Sequence, residues 1–326
     1  MNKFLSFFNR INIKLFNLSS KFFFIDFRTS ISILRHTIKS INSVKNYSNK
    51  GHKTFCFNHL KKDKKSDTLF ILGSGHSINE IKKTKWKQIK SKESWGFNNW
   101  FIHDFVPNFF FVQSYFKKKN NLEYFLKMDK LMKQILFEKR NLYKNVNFYI
   151  RGDNVNNNTF HESQFGETIL KSEFKYFFMS ELIVRSKCKI RPYKLMISMY
   201  KLGFFKNNSN EIPIPKFGNT ITELICLALI MGYKEIVLCG IDMNDSGHFY
   251  DKDIYLKKYV FLKKLNSFSN KNQIHPHADR RSLRYTTKDV IMDLNKFAKE
   301  KFDSQIFVSS ETSSLYPEIK KYEFEE

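Results

Sequence analysis

The sequence predicts an α/β fold, a mainly parallel sheet with helices on both faces. Three observations predict it. Apolar runs of strand length alternate with helical patterns across short turns from residue 67 onward. The stretch TLFILGSGHS reads as a strand, a Gly-rich turn and a helix start, the unit that holds a phosphate or nucleotide. The stretch GNTITELICLALIMGYKEIVLCGID reads as a helix, a glycine turn and a strand ending in Gly240, Ile241 and Asp242. Together they describe a single Rossmann-like nucleotide-binding core.

Residues 1–66 stand apart. They carry many Lys and Arg against Asp26 and Asp63 alone. From Phe4 to Phe24, Phe and Leu alternate with bases. That pattern suits either an amphipathic helix on an anionic membrane leaflet or a basic helix packed on the domain. Residues 61–67 (KKDKKSD) read as a solvated linker. The first strand is Thr68–Leu72, followed by a tight turn at Gly73, Ser74 and Gly75. Ser77 is placed to cap a helix, with Glu80 completing a capping box.

Further strands are expected at 94–97, 109–112 and 146–150, and a helix at 122–137. Residues 151–190 are Asn-rich and predict a loop of uncertain course, followed by a helix at 193–202. The next helix runs over 221–231, with Thr220 and Glu223 as a second capping box and Gly232 as its turn. It leads into the strand at 235–239. Residues 243–273 are polar and aromatic with weak periodicity. A helix at 286–301 and a strand at 305–309 close the chain.

Composition bounds the function. The chain has 326 residues, 42% of them hydrophobic, enough for a substantial core. Its net charge of +25 implies an anionic partner. No zinc-finger spacing or RNA-binding aromatic signature is present, so no nucleic acid is expected. Four cysteines, Cys56, Cys188, Cys226 and Cys239, form no CxxC pair. A reducing, cytoplasmic setting is the expectation. No stretch reaches the roughly 18 apolar residues of a membrane span, and the N-terminus lacks a signal-peptide pattern.

Ligands of an open α/β sheet bind beyond the carboxyl ends of its strands. The polar residues expected there are Gly73, Ser74 and Gly75, Asn98, Gln113, and Gly240 and Asp242. The helix start at Asn219 and Thr220 adds backbone N–H groups. There is no GxxxxGK[ST] loop, and Ile78 stands where GxGxxG needs its third glycine. No DxD-like pair is present to hold a metal against a diphosphate, so no metal or other cofactor is expected. His275 and His277, beside Arg280, Arg281 and Arg284, form the densest cluster of candidate chemistry. A histidine there suits a general base. His248 is a further candidate.

These residues resemble glycosyltransferase family 42, the bacterial sialyltransferases that use CMP-sialic acid, over roughly 69–317. LGSGHSINEI is similar to the family's opening GNGPSLKEI, and MGYKEIVLCGID to its LGYKEIYLSGID. Asn98 is similar to a donor-binding Asn, Gln113 stands in place of an Asn, and Asn219–Thr220 matches a donor-contacting Thr–Ser pair. The family's GID precedes a lid with two tyrosines. Here Asn244 replaces the first and Tyr250 matches the second. A family arginine aligns with Phe217.

The resemblance implies a core over 67–242 and 275–326 and a lid over 243–274. It implies metal-independent, inverting transfer of sialic acid from CMP to a surface glycan such as lipooligosaccharide or capsule. Tyr250 would meet the departing phosphate, His277 or His275 would act as base, and Asn244 and Asp242 would lie at the donor. It also implies a homo-oligomer, and the basic N-terminal segment would hold the protein at the inner membrane face. Related cores transfer Kdo, pseudaminic or legionaminic acid from CMP. The reading from a different class is a non-catalytic nucleotide-binding protein with a basic docking face.

Overall fold

The computed structural model describes residues 27–55, 57, 60–61, 64–112, 122–151, 164–171, 173–184, 190–206, 213–244, 246–260, 262 and 285–325. Residues 1–26, Gln113, His275, His277, Arg280, Arg281 and Arg284 lie outside them, as do Cys56 and Cys188.

The elements run in order as α1 (Phe27–Asn49), β1 (Thr68–Leu72), α2 (Lys83–Ser91), β2 (Glu93–Phe97), β3 (Phe109–Val112), α3 (Leu122–Glu138), α4 (Arg140–Tyr143) and β4 (Asn147–Arg151). Then follow α5 (Gln164–Lys171), β5 (Lys175–Met179), β6 (Glu181–Ile183), α6 (Pro192–Lys201), β7 (Ile214–Lys216), α7 (Thr220–Met231) and β8 (Glu235–Cys239). The last three are α8 (Asp253–Lys258), α9 (Thr287–Phe302) and β9 (Gln305–Val308). Seven strands form one sheet in the order β5-β4-β3-β2-β1-β8-β9, and every pairing is parallel. The expected α/β architecture is the one observed.

Alternation along the strands builds a core on each face. Leu69 and Ile71 of β1 enter one apolar cluster with α7 and α9, while Phe70 and Leu72 enter the other with α3. β1 is buried along its whole length, which is why it reads as an unbroken apolar run. α7 is buried on every side, and its sequence TITELICLALIM is apolar all round for that reason. It ends at Gly232, with φ of 77°, while Tyr233 N donates back to Ala228 O.

Two capping expectations are corrected. The N-cap of α7 is Asn219, whose side chain accepts from Thr222 N; Thr220 is already helical. At the first turn, residues 76–80 form a short 3-10 helix with no side-chain cap, and α2 begins only at Lys83. Ser77 and Glu80 do not pair, because each has a distant partner. Ser77 Oγ donates to Asp242, and Glu80 accepts from Ser310 and Thr312.

The stretch 151–190 holds more order than its composition indicates, since β5 and the small parallel pair β6–β7 include parts of it. Residues 27–55, 57 and 60 are also built into the fold. Ile33, Phe55, Phe57 and Leu60 are buried in the core, and Tyr47 stacks on Phe178 of β5 at 3.8 Å. Phe55 N donates to Phe178 O, and Phe178 N to Lys53 O, so residues 53–55 cover the outer edge of β5. No helix among the described residues is long and apolar enough to cross a membrane.

A methyl group at Gly240 meets two costs. The residue has φ of 65°, and a Cβ would stand 2.6 Å from Ile78 Cγ1 and 2.9 Å from Gly73 O. Gly240→Ala is expected to lower stability by at least about 2 kcal/mol, read by urea denaturation; a midpoint equal to the native protein's contradicts this account.

Candidate active site

From β1 the chain steps through β2, β3, β4 and β5 in one direction, then returns to place β8 and β9 on the other side of β1. The reversal makes a crevice outside the carboxyl ends of β1 and β8, the place where open α/β sheets bind ligands. α7 precedes β8 and α9 precedes β9, so both helices run back across the sheet and bring their N-termini to this end. Their starts are joined by a hydrogen bond between Asn219 Nδ2 and Thr287 Oγ1.

The two turns at the crevice lie against each other. Gly73 N donates to Cys239 O and Gly75 N to Gly240 O, both at 2.8 Å. A Cβ on Gly75 would fall 2.5 Å from Asp242 Oδ2. Asp242 is buried, and its carboxylate accepts from Ser77 N at 2.9 Å and from Ser77 Oγ. The glycines therefore serve turn-to-turn packing, and Asp242 ties the turns together. Ser74 and His76 are half-buried beside them. Asn98 follows β2 with φ of 54°, a region that asparagine tolerates better than other side chains.

The segment after β8 folds back over this crevice. Gly75 bridges His248 in an antiparallel pair, and Phe249 N donates to Ser74 O at 3.0 Å. His248 begins a 3-10 helix over Phe249–Asp251, and its ring stacks on Tyr250 with centroids 4.7 Å apart. Tyr250 is buried, and its hydroxyl accepts from Asn99 Nδ2 at 3.0 Å. Asn99, not singled out in the sequence, thus meets Tyr250. Its signal was only its place next to Asn98 at a strand end.

The remaining expected residues divide. Asn244 Nδ2 donates to Thr312 O at 2.8 Å, and its Oδ1 accepts from Ser246 N and Oγ, so its side chain shapes the loop. Phe217 is fully buried in the core, and its N–H donates to Thr222 Oγ1. Thr220 is buried at the first position of α7.

A charged and aromatic brace holds the described part of this segment; residues 263–274 of the expected lid lie outside the described residues. Phe249 packs against Trp100, His103 and Tyr255 with centroids 5.3–5.6 Å apart. Lys139 Nζ, nearly buried, donates to Phe101 O at 2.9 Å and His103 O at 2.8 Å, closing the turn that carries Asn98 and Asn99. Burial pulls the Lys139 pKa below its usual value, against the pull of Asp104. Asp104 also pairs with Lys258 of α8 at 3.0 Å. Burial works to raise the Asp104 pKa, but the two lysines outweigh it and hold the carboxyl below its ordinary value.

A cleft of about 740 Å³ opens elsewhere, beside Thr68 and Glu235 at the amino ends of β1 and β8. Lys92, Glu235, Glu311 and Lys320 line it with both signs of charge and no convergent group. The candidate site is placed at the switch point because the strand-end groups and the lid meet there. No group of three metal-ligating side chains is present among the described residues.

The chain is similar to three solved sialyltransferase structures. The monofunctional alpha-2,3-sialyltransferase Cst-I from Campylobacter jejuni shares 14% identity, over 78% of this chain and 80% of that one, with a TM-score of 0.38. CstII from the same organism, solved with the substrate analogue CMP-3FNeuAc, shares 13% over 78% and 85%, also with a TM-score of 0.38. The apo form of an alpha-2,3-sialyltransferase from C. jejuni shares 16% over 78% and 80%, with a TM-score of 0.37. No protein-family model matches the chain, and no curated protein matches it in sequence. The likeness is loose, and the α/β architecture stands on the strand order itself.

His103 yields a pH prediction. Burial pushes its pKa down to about 4 from 6.5. Its Nδ1 accepts from Phe105 N at 3.0 Å, which requires a neutral ring. Between these values the unfolded chain binds the proton and the folded chain does not, so stability falls as pH drops from 6.5 toward 4. The loss attributable to His103 is on the order of 3 kcal/mol. His103→Asn should flatten that part of the profile in chemical denaturation at stepped pH. An unchanged slope would assign the acid sensitivity to other groups.

Proposed function

We propose that this chain is a glycosyltransferase that moves an acidic sugar, sialic acid or a close relative, from a CMP donor to a glycan acceptor. The observation that carries the reading is the Asn99–Tyr250 hydrogen bond, which joins the turn at the end of β2 to the segment that folds back over the switch point. It gains weight from the resemblance of LGSGHSINEI and MGYKEIVLCGID to family 42, because those two stretches form the paired turns of that crevice.

In the proposed reaction the acceptor hydroxyl attacks the anomeric carbon as the bond to the CMP phosphate breaks. The leaving CMP takes the electron pair, and the acceptor proton passes to a base. The transition state is oxocarbenium-like. Charge builds on the departing phosphate, and fixed hydrogen-bond donors can meet it without a metal. A phenol can donate a hydrogen bond as well as accept one, which suits Tyr250 to that task. His277 or His275 is the proposed base. The net charge of +25 suits an anionic donor. A bacterial surface glycan, such as lipooligosaccharide or capsule, is the proposed acceptor, and a homo-oligomer near the inner membrane face the proposed setting.

Two positions favour a donor sugar other than sialic acid. Phe217 is sealed in the core and Asn244 is taken up by loop contacts, so neither meets a ligand as the aligned family residues would. A CMP-linked Kdo, pseudaminic or legionaminic acid is the second reading.

CMP release from CMP-sialic acid in the presence of EDTA is the test. Turnover should persist in EDTA, and Tyr250→Phe should cut kcat by about 10²-fold, the usual scale for losing one donor to a developing charge. Asn99→Ala should give a smaller loss in the same direction, since it only orients the phenol. His277→Ala and His275→Ala identify the base. CMP binding without release from any of these CMP-sugars would favour a non-catalytic nucleotide-binding protein, and absence of CMP binding would overturn the reading.

A further inference from the structure

Among the described residues, six large hydrophobic side chains are exposed, and five gather on α3, α4 and the lid helix with its flank. They are Leu126 at 52%, Phe137 at 65%, Leu142 at 61%, Ile254 at 68% and Val260 at 65%. On α3 the exposed residues Leu126, Lys130, Lys133 and Phe137 follow the spacing i, i+4, i+7, i+11, a single helical stripe. The opposite face of α3 carries Met128, Leu131, Met132, Ile135 and Leu136, all buried. α3 is therefore apolar toward the core and mixed apolar and cationic toward the outside.

The lid helix adjoins this stripe. Asp104 is shared by Lys139, at the end of α3, and by Lys258 of α8. Tyr143 of α4 and Tyr259 after α8 are buried in the same core layer. Leu142 and Val260 are the exposed chain neighbours of these two tyrosines. Exposed cations outnumber exposed acids around the apolar groups: Lys130, Lys133, Arg140 and Lys144 on one side and Lys252, Lys257 and Lys258 on the other, against Asp104, Glu138, Glu173 and Asp253. Arg140 lies over the Phe137 ring at 5.2 Å, fixing a cation directly on an apolar anchor.

Single apolar side chains set among lysines fit one chemistry best. The apolar groups can enter the acyl boundary of a bilayer while the lysines stay at the headgroups. The positive charge complements anionic lipid. Lysine is depleted at protein–protein interfaces, which disfavours a protein partner. We infer that α3, α4 and α8 form a docking surface for an anionic lipid bilayer. Because α8 is continuous with Phe249 and Tyr250, docking takes place on the element that covers the crevice. The inference does not depend on the proposed reaction.

The test is sedimentation of the full-length protein with vesicles of phosphatidylcholine alone and of phosphatidylcholine mixed with phosphatidylglycerol. The native protein should bind the mixed vesicles, more weakly as salt is raised, and leave the neutral ones in the supernatant. The triple variant Phe137→Ser, Leu142→Ser, Val260→Ser should weaken binding at least about tenfold. The pair Lys130→Glu, Lys133→Glu should weaken it by about fivefold per residue, and it keeps the test open should the triple variant fold poorly. Equal binding of native protein and both variants would overturn the inference and place membrane contact in another basic segment. Absence of native binding would overturn it outright. An oligomer that dissociates in the triple variant, with vesicle binding unchanged, would make the face an interface between copies of the chain.

Discussion

The carboxyl ends of β1 and β8 approach so closely that Gly75 N donates to Gly240 O across 2.8 Å, and neither turn has space for a side chain at its glycine. That backbone contact sets the rest of the site. It forces the turn after β1 into a 3-10 helix, which directs Ser77 onto Asp242. It also leaves Ser74 O as the anchor for Phe249 N, so the segment after β8 is pinned where the two turns meet. With polar groups this close in a buried setting, an unpaired carboxylate would be costly, and the Ser77 amide and hydroxyl supply what Asp242 needs.

The segment around Tyr250 is held by a second, more distant set of contacts. Lys139 bonds backbone carbonyls at the end of the turn that carries Asn98 and Asn99. Asp104 then links that turn to α8 through Lys258. The turn that carries Asn99 and the helix α8 that follows the Tyr250 segment are therefore joined through one exposed carboxylate. The aromatic contacts of Phe249 with Trp100 and His103 add packing to the same joint. An element so fastened can respond to forces on its outer face, and α8 presents Ile254 and Lys257 there.

Much of the architecture was legible in the sequence. β1 and β8 are buried on both faces, so burial wrote them as unbroken apolar runs. α7 is buried all round and reads as an apolar helix closed by Gly232. The strand-end positions of Gly73, Asn98 and Gly240 were legible for the same reason, since each follows such a run. β5 was less so. KYFFM lies near the sheet edge within an Asn-rich stretch, and it is covered by α1 and residues 53–55 from far earlier in the chain. No local pattern carries that information.

The sequence by itself determined most strands of the central sheet, β5 excepted, and the polar groups that end them, because periodicity and burial are local records of a packed core. Tertiary structure decided how those polar groups are used. Ser77 and Glu80 have the spacing of a capping box, yet Asp242 and Ser310 draw them apart. Thr220 has the look of a cap, but Asn219 takes the position because it also reaches Thr287 at the start of α9. Asn99 acquires its role only from Tyr250, 151 residues away. Hydrogen bonds between distant strand ends depend on strand order and crossover, and those are fixed by the packing of the whole sheet rather than by any run of neighbouring residues.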